Sequence, residues 1–374
     1  MFRFIHSSDL HLGKRFGNFT GDLPGRLREA RHAVLGRLAE QARAHGADTV
    51  LLAGDTFDTE TPAPDVRRQA MMEMAQDPNI RWVILPGNHD SLQANELWQR
   101  MASDAPANVT LTTEAAPFEI APNSFILPAP CTTRRPGRDL TDWMDSADLP
   151  AEALRIGLAH GAIQNFTEDS TTHDVIAPDR ARRSNLDYLA LGDWHGRMKV
   201  DERTYYSGTP ETDRFKHNRP AEALLVTVSA HGALPEVSPI ETGTFHWRAA
   251  DLHLLSTQDP AAEFAALLPE AKDRRYSLLK VNALGHTRLP GHAELLRQAY
   301  HVTHDFAWFE LSHDGLAIDY DPEDLNEIDL TGALRVAANS LLGEVTNPDL
   351  SAVERSIASA ALSRLYRHVQ GAAK

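Results

Sequence analysis

The sequence predicts an α/β fold, followed by a smaller α+β part and a helical C-terminal region. Three observations lead there. Short aliphatic runs alternate with amphipathic stretches through the first part of the chain. Polar residues follow directly on the ends of those runs, and the texture changes from about residue 240. A length of 374 residues is more than one compact domain usually holds.

The elements follow in order. Residues 2–6 read as a strand, and residues 24–45 place Leu27, Ala30, Val34, Leu38 and Ala42 at helical spacing. Thr49 to Ala53 is a buried-strand run ending in Gly-Asp. Residues 65–76 are helical again, and Ile80 to Leu85 is a second buried strand ending in Pro-Gly-Asn. The segments 154–159 and 186–191 repeat the device, an apolar strand followed by Gly and His or Asp. Phe245 to Leu255 and Tyr276 to Leu284 read as strands separated by a helix near 260–271. A second helix near 291–302 leads into strands at 305–311 and 315–320. Residues 330–370 read as helix, with Leu334, Ala337, Leu341, Val353, Ile357, Ala361 and Leu365 at spacings of three and four. The expected division is 1–240, 241–325 and 326–374.

Composition narrows the class. Apolar residues make up 42% and charged residues 24%, an ordinary globular balance. Cys131 is the only cysteine, so an intramolecular disulfide is excluded and a reducing, cytoplasmic setting is expected. No leader pattern and no apolar run of membrane-spanning length is present, so no membrane role is expected. The net charge of −15 opposes nucleic-acid binding by the chain alone. Basic residues nevertheless cluster at Arg134, Arg135 and Arg138 and again through Arg182, Arg183, Arg197, Lys199, Arg214, Lys216 and Arg219. An acidic stretch runs from Asp319 through Asp321, Glu323, Asp324 and Glu327 to Asp329. Each cluster taken singly reads more readily as a solvated surface than as a binding patch.

Five clusters of polar residues follow the strands: Asp9-Leu10-His11, Gly54-Asp55-Thr56-Phe57-Asp58, Gly87-Asn88-His89-Asp90, Ala159-His160-Gly161 and Gly192-Asp193-Trp194-His195. Just past the C-terminal ends of strands is where open α/β sheets build their sites. The donors are oxygen and nitrogen with no sulfur, a set suited to manganese, iron or zinc. The Asp-x-His spacing would put both side chains on one side of an extended segment. Gly54 and Gly87 would let the backbone turn tightly at the strand ends. With 18 histidines in the chain, any single one is poor evidence, and His6 reads as structural. A lone Gly-Asp is usually a turn; all five clusters in one order are far more specific.

On these residues the chain resembles the calcineurin-like metallophosphoesterases, and within them the DNA-repair exonuclease branch of SbcD-like nuclease subunits. The stretches Ile5 to Gly13, Ala53 to Asp58 with Thr61-Pro62, and Tyr206-Ser207-Gly208-Thr209-Pro210 carry the branch resemblance. It implies a four-layer αββα sandwich over roughly residues 1–230, a small α+β capping domain, and C-terminal helices that dock a coiled-coil, SbcC-like ATPase. It further implies two divalent ions, most simply Mn2+, with Fe2+ or Zn2+ as alternatives, a DNA substrate and a homodimer. Asp9, His11 and His195 would hold one ion, Asn88, His160 and Asp193 the other, and Asp55 would bridge them. His89 would be the catalytic histidine and Asp58 the acid that orients it and keeps it charged. Asp193 departs from the family, which places a histidine there. Of the basic residues, Arg134, Arg135, Arg197 and Arg214 are the candidates for nucleic-acid contact.

Two ions sharing one hydroxide would lower its pKa and align an in-line attack on a phosphodiester. Two other readings keep part of this picture. A phosphoesterase for small phosphoesters or cyclic nucleotides shares the chemistry, but would not need a large extra domain. A non-catalytic scaffold would treat Asp193 as a sign of decay, against the presence of Asp55, Asn88, His89 and His160.

Overall fold

The computed structural model describes residues 1–163, 175–216, 218–321, 323–329 and 331–372. The chain divides into two compact units, Met1–His246 and Trp247–Lys374.

The first unit opens with β1 (Phe2–Ser7), α1 (Leu23–Ala44), β2 (Thr49–Leu52), α2 (Pro64–Ala75), β3 (Arg81–Ile84), α3 (Asn95–Asp104) and β4 (Val109–Leu111). It continues through β5 (Phe118–Ala121), β6 (Ser124–Ala129), β7 (Leu154–His160), β8 (Ala162–Ile163), β9 (Val175–Ile176), α4 (Arg180–Arg183) and β10 (Tyr188–Gly192). β11 (Met198–Lys199), β12 (Thr204–Tyr206), β13 (Glu222–Val228) and β14 (Glu236–Glu241) close it. Two six-stranded sheets result, ordered β14-β13-β1-β2-β3-β4 and β11-β12-β10-β7-β6-β5.

Alternation along the strands builds the layers. On β1, Phe2 and Phe4 turn one way and pack with Ile126, Ile156 and Tyr188 of the other sheet. Ile5 turns the opposite way, towards Val34, Leu35 and Leu38 of α1. The outer face of the second sheet is covered more thinly, by α4 residue Ala181 and by Met144 in a short 3-10 turn. This is the αββα sandwich that the resemblance implies.

His6 ties the two sheets together, with Nδ1 2.9 Å from the Tyr188 hydroxyl and Nε2 3.2 Å from the Leu191 carbonyl. Burial lowers its pKa to about 3, so it stays neutral and structural. The central strands are parallel in both sheets, β1 to β4 in one and β6, β7, β10 and β12 in the other. Within each sheet, their following loops therefore leave from one end.

The second unit contains β15 (His246–Leu254), α5 (Pro260–Leu267), α6 (Ala271–Arg274), β16 (Ser277–Arg288), α7 (Leu289–Thr303), β17 (Trp308–Asp319), α8 (Ala333–Thr346) and α9 (Ala352–Ala372). Its three-stranded sheet, ordered β15-β16-β17, shares a core with Phe264 of α5 and Leu295 of α7.

Three expectations are corrected here. The two strands read at 305–311 and 315–320 are one, β17. The pairing steps from Asn282↔Ser312 to Leu284↔Gly315, so a bulge absorbs the extra residue that reads as a turn in Asp-Gly. The helix read near 260–271 ends at Leu267, and the helix read over 330–370 is two; Leu330 lies outside the described residues. Both breaks have one cause. Leu268 and Asn347 each precede a proline and take extended backbone, with ψ of 139° and 113°. Among the described residues no helix is long and apolar enough to cross a membrane.

Candidate metal centre

The five strand-end clusters converge. After β1 the chain leaves strand geometry, and Asp9 and His11 take left-handed backbone with φ of 55° and 43°. The extended Asp-x-His segment expected from the spacing is therefore absent, and a tight loop brings the two side chains together instead. That loop is laid along the one after β2: Asp9 N–H donates to Gly54 O (3.1 Å), His11 N–H to Asp55 O (2.9 Å) and Leu12 N–H to Thr56 O (2.9 Å). Asp55 and Asp193 also lie at positive φ, 52° and 100°. Four non-glycine residues in a sparsely allowed region at one place mark stored strain at a functional site.

Gly54 is at φ +87°, as a tight turn requires, and a Cβ there would strike the His160 ring. Gly87 serves differently. Its backbone is ordinary, but an added Cβ would collide with Asp55 itself. The missing side chain, not the turn, is what the site uses.

Three groups of donors form among the described residues, one of them His11, Asp58 and His89, and Asp9 belongs to both of the other two. Oxygen of Asp9 and nitrogens of His11 and His195 lie within 4.8 Å of one another, and so do atoms of Asp9, Asp55 and His160. The His11 and His195 Nε2 atoms face each other at 3.2 Å. Asp55 stands between the two that share Asp9, with Oδ2 3.7 Å from His11 Nε2 and Oδ1 3.5 Å from His160 Nε2. His160 donates Nδ1–H to Ala53 O at 2.8 Å, which aims Nε2 at the centre. Asp193 Oδ1 lies 3.8 Å from that Nε2 and accepts a hydrogen bond from Asn88 Nδ2 at 3.0 Å. Its N–H donates to the Asp9 carboxylate, 3.2 Å from each oxygen.

These residues fit divalent ions. The buried atoms His160 Nε2 and Asn88 Oδ1 have no hydrogen-bond partner among the described residues. Both belong to groups that rarely go unsatisfied unless a ligand takes them. The electrostatics agree. Burial drives the Asp55 carboxyl well above its usual range, with Asp90 and Asp9 adding to the push. Burial alone would lower His160, yet Asp55, Asp9 and Asp193 raise it to about 9. The carboxylates bring more negative charge than the histidines neutralise, which is the field a cation site needs. His11 runs the other way: burial lowers it to about 4, keeping the ring neutral and able to ligate.

His89 is half-buried beside the centre, its ring edge-on to that of His11 with centroids 4.9 Å apart. Its N–H donates to Asp55 Oδ1 (2.8 Å), and its Nδ1 meets the main-chain carbonyl of Asp58 (3.0 Å). The Asp58 carboxylate turns instead to His11 Nδ1, at 3.3 Å. Asp58 thus orients His89 through a neutral carbonyl, and the expected carboxylate that would hold the ring charged is not the contact.

Residues to which sequence reasoning gave no role hold this arrangement. Asp213 Oδ1 lies 3.2 Å from His195 Nδ1, and Asp213 Oδ2 takes Lys14 Nζ at 2.5 Å. Burial would raise the Asp213 carboxyl, but His195, Arg31 and Lys14 pull it well below the usual range. Arg31, buried on α1, clamps the carbonyls of Leu10 (2.8 Å), Glu211 (2.8 Å) and Asp9 (3.2 Å). Asp90 accepts from Phe57 N–H (3.0 Å) and Gly87 N–H (2.7 Å), joining the loops after β2 and β3.

The candidate arginines divide. Arg134 and Arg135 line a cleft of about 300 Å³ beside Asn88, His89, His160 and Asp193. Arg197 is engaged by Glu222 at 2.7 Å. Arg214 bonds Asp213 at 3.0 Å and lies 3.2 Å from His195 Nε2.

A double sheet with oxygen and nitrogen donors gathered at its strand ends defines a metal-dependent phosphoesterase. The chain belongs to the calcineurin-like phosphoesterase family, whose sequence pattern matches residues 2–232. Members of this class work with divalent metal ions. Among curated proteins, the SbcD subunit of the nuclease SbcCD of Escherichia coli K12 is 38% identical over 277 residues, covering 63% of this chain and 67% of that protein. The uncharacterized metallophosphoesterase YhaO of Bacillus subtilis 168 is 27% identical over 248 residues, 60% of this chain and 57% of its own length. The SbcD subunit of the Rhodobacter capsulatus nuclease SbcCD is 28% identical over 169 residues, 42% of this chain and 39% of its own.

Proposed function

We propose that this chain is a metal-dependent, exonuclease-like DNA nuclease subunit that hydrolyses phosphodiester bonds in DNA repair, beside an SbcC-like ATPase. The observation that carries the reading is the Asp55 carboxylate, one oxygen turned to each of two groups of donors whose other members point inward. That the Escherichia coli relative is a nuclease subunit favours a DNA substrate over a small phosphoester.

In this reading Asp9, His11 and His195 hold one ion, Asn88, His160 and Asp193 the other, and Asp55 serves both. Mn2+ suits the donors best, with Fe2+ or Zn2+ competing. When bound, such ions supply an activated water and draw charge from the phosphoryl oxygens. The chain does the rest. Arg31 fixes the main chain of Asp9 and Leu10, so the first ligand loop cannot relax. As an imidazolium, with Nδ1–H held by the Asp58 carbonyl, His89 would pass its Nε2 proton to the leaving oxygen and be left neutral, worth about 10²–10⁴ in rate. Residues 241–325 would serve as a substrate cap and residues 326–374 as a docking segment for the ATPase. A net charge of −15 makes a partner with its own basic groove the natural way to retain duplex DNA.

The test is digestion of end-labelled duplex DNA by the full chain, with Mn2+ or chelator and with or without a co-encoded ATPase. Fragments should require the metal and increase with the ATPase. His89→Gln should slow cutting about 10²–10⁴-fold at unchanged metal content. Absence of phosphodiester hydrolysis under all these conditions removes the nuclease reading, and salt-insensitive cutting of long duplexes by the chain alone removes the partner.

A further inference from the structure

The rim of the centre carries arginines of two kinds. On the His195 side, Arg197 and Arg214 are already engaged by Glu222 and Asp213, at 2.7 and 3.0 Å. On the other side, the cleft of about 300 Å³ has Arg134 and Arg135 in its wall. Both are exposed, and neither forms an ion pair among the described residues. Their loop is nevertheless firmly rooted. Cys131, buried, donates its N–H to Pro86 O (3.1 Å) and accepts the Leu92 N–H (2.9 Å). Those bonds pin the loop on both sides of Asn88 and His89, so the arginines and His89 share one framework.

We propose that Arg134 and Arg135 bind the phosphate next to the scissile one, on the leaving-group side of the bond that is cut. The proposal rests on the nuclease reading of the same centre. A group that protonates the leaving oxygen must stand on the leaving side, and His89 stands in this cleft. Whatever the leaving oxygen belongs to therefore occupies the cleft, facing the arginines. A simple aryl ester or phosphomonoester brings no second anion there; a polynucleotide does.

Asp193, in the same wall, would repel that anion, so guanidinium groups that form no ion pair among the described residues are suited to hold it. Arginine's planar fork suits a phosphate better than a point charge would. On the opposite rim Arg197 and Arg214 are held by their own acids and have less to offer a second phosphate. The substrate should thus be gripped on one side.

The experiment uses the full chain with Mn2+ and oligonucleotides carrying one uncharged methylphosphonate, on either the leaving side or the attack side of a cleaved linkage. Single-turnover rates are compared for wild type, the double variant R134A/R135A and its charge-restoring counterpart R134K/R135K. In wild type, neutralising the leaving-side phosphate should slow cutting by about ten- to a hundredfold, as expected for a lost charge-assisted hydrogen bond. In R134A/R135A that penalty should disappear, and R134K/R135K should restore part of it. Attack-side neutralisation should affect all three alike. A leaving-side penalty that persists undiminished in R134A/R135A, or that is absent from wild type, overturns the proposal alone. Wild type that turns over bis(4-nitrophenyl) phosphate but not the unmodified oligonucleotide overturns the nuclease reading, and the proposal with it.

Discussion

Asp9, His11 and His195 form the half of the centre that is closed and braced. Asp9 is 0% and His11 2% exposed, and His195 leans on the buried carboxylate of Asp213. In the other half, His160 leans on a neutral carbonyl, that of Ala53, and Asp193 leaves 33% of its side chain open to the cleft. A carboxylate behind an imidazole fixes its tautomer and strengthens it as a donor; a carbonyl fixes the tautomer alone. In the two-ion reading, the braced half would retain its ion and the open half would exchange one, in contact with whatever enters the cleft.

The largest effect should come from the residue both halves share. Asp55→Asn keeps an acceptor for the His89 N–H but removes the charge that faces His11 and His160. Ion binding in both halves should collapse, and hydrolysis should fall by at least about a thousandfold, since several kcal/mol of charge stabilisation goes with it. The same change relieves a buried carboxyl that its surroundings disfavour in charged form. The chelated variant should therefore melt at or above the temperature of chelated wild type. Metal content by mass spectrometry and a thermal melt check both. Retention of two ions by the variant would mean that Asp55 does not join the halves.

A smaller and one-sided effect is expected at Asp213. Asp213→Asn leaves His195 in place but weakens it as a donor. Loss of such an outer partner typically costs about 10–100-fold in metal affinity. Calorimetric titration with Mn2+ should show the tighter of two binding events weakened and the looser one little changed. Equal weakening of both would erase the distinction between the halves. Some stability at neutral pH should also go, because Lys14 and Arg214 lose their buried charge partner.

The candidate ligands of both halves stand out in the sequence, and most of the residues that surround them do not. A buried strand followed at once by Gly, Asp or His is a local pattern, so Asp9, Asp55, Asn88, His160 and His195 stand out from one stretch of chain each. Asp213 belongs to a loop that means nothing until it meets His195. Arg31 left a usable signal: it falls four residues after Leu27 and four before Leu35, a cation on the apolar stripe of α1. The left-handed backbone at Asp9 and His11 could not be read, because the period-two rule assumes that the strand continues. The alternation of strands and helices in the first part was legible from the residues, and the sandwich was implied by the resemblance. Strands β4 to β6 and β11 to β14 were not read; β11 and β12 are brief, whereas β13 is seven residues long and its apolar run Ala223 to Val228 was a usable signal.

The smallest effect separates the halves by chemistry. The braced half offers two imidazoles; the open half offers one, with oxygens from Asn88, Asp193 and the shared Asp55. Oxygen-rich sets favour harder ions, so Mn2+ should hold its place against Zn2+ better in the open half. Asp193→His would even out the two donor sets and remove a negative charge from the cleft wall. Its expected signature is a shift of about tenfold in the Zn2+ to Mn2+ preference of the looser site, on the order of the energy of one altered ligand contact. The tighter site should be unmoved, and so should the melting temperature of the chelated protein, because a side chain one-third exposed and held by a single amide adds little to the fold. Competition titrations with both metals read the ratio directly, and anomalous scattering from manganese-soaked crystals locates the ions. An unchanged ratio, or a single ion with the Asp193 carboxylate turned away from it, would leave Asp193 as a wall of the cleft and the open half short of a ligand.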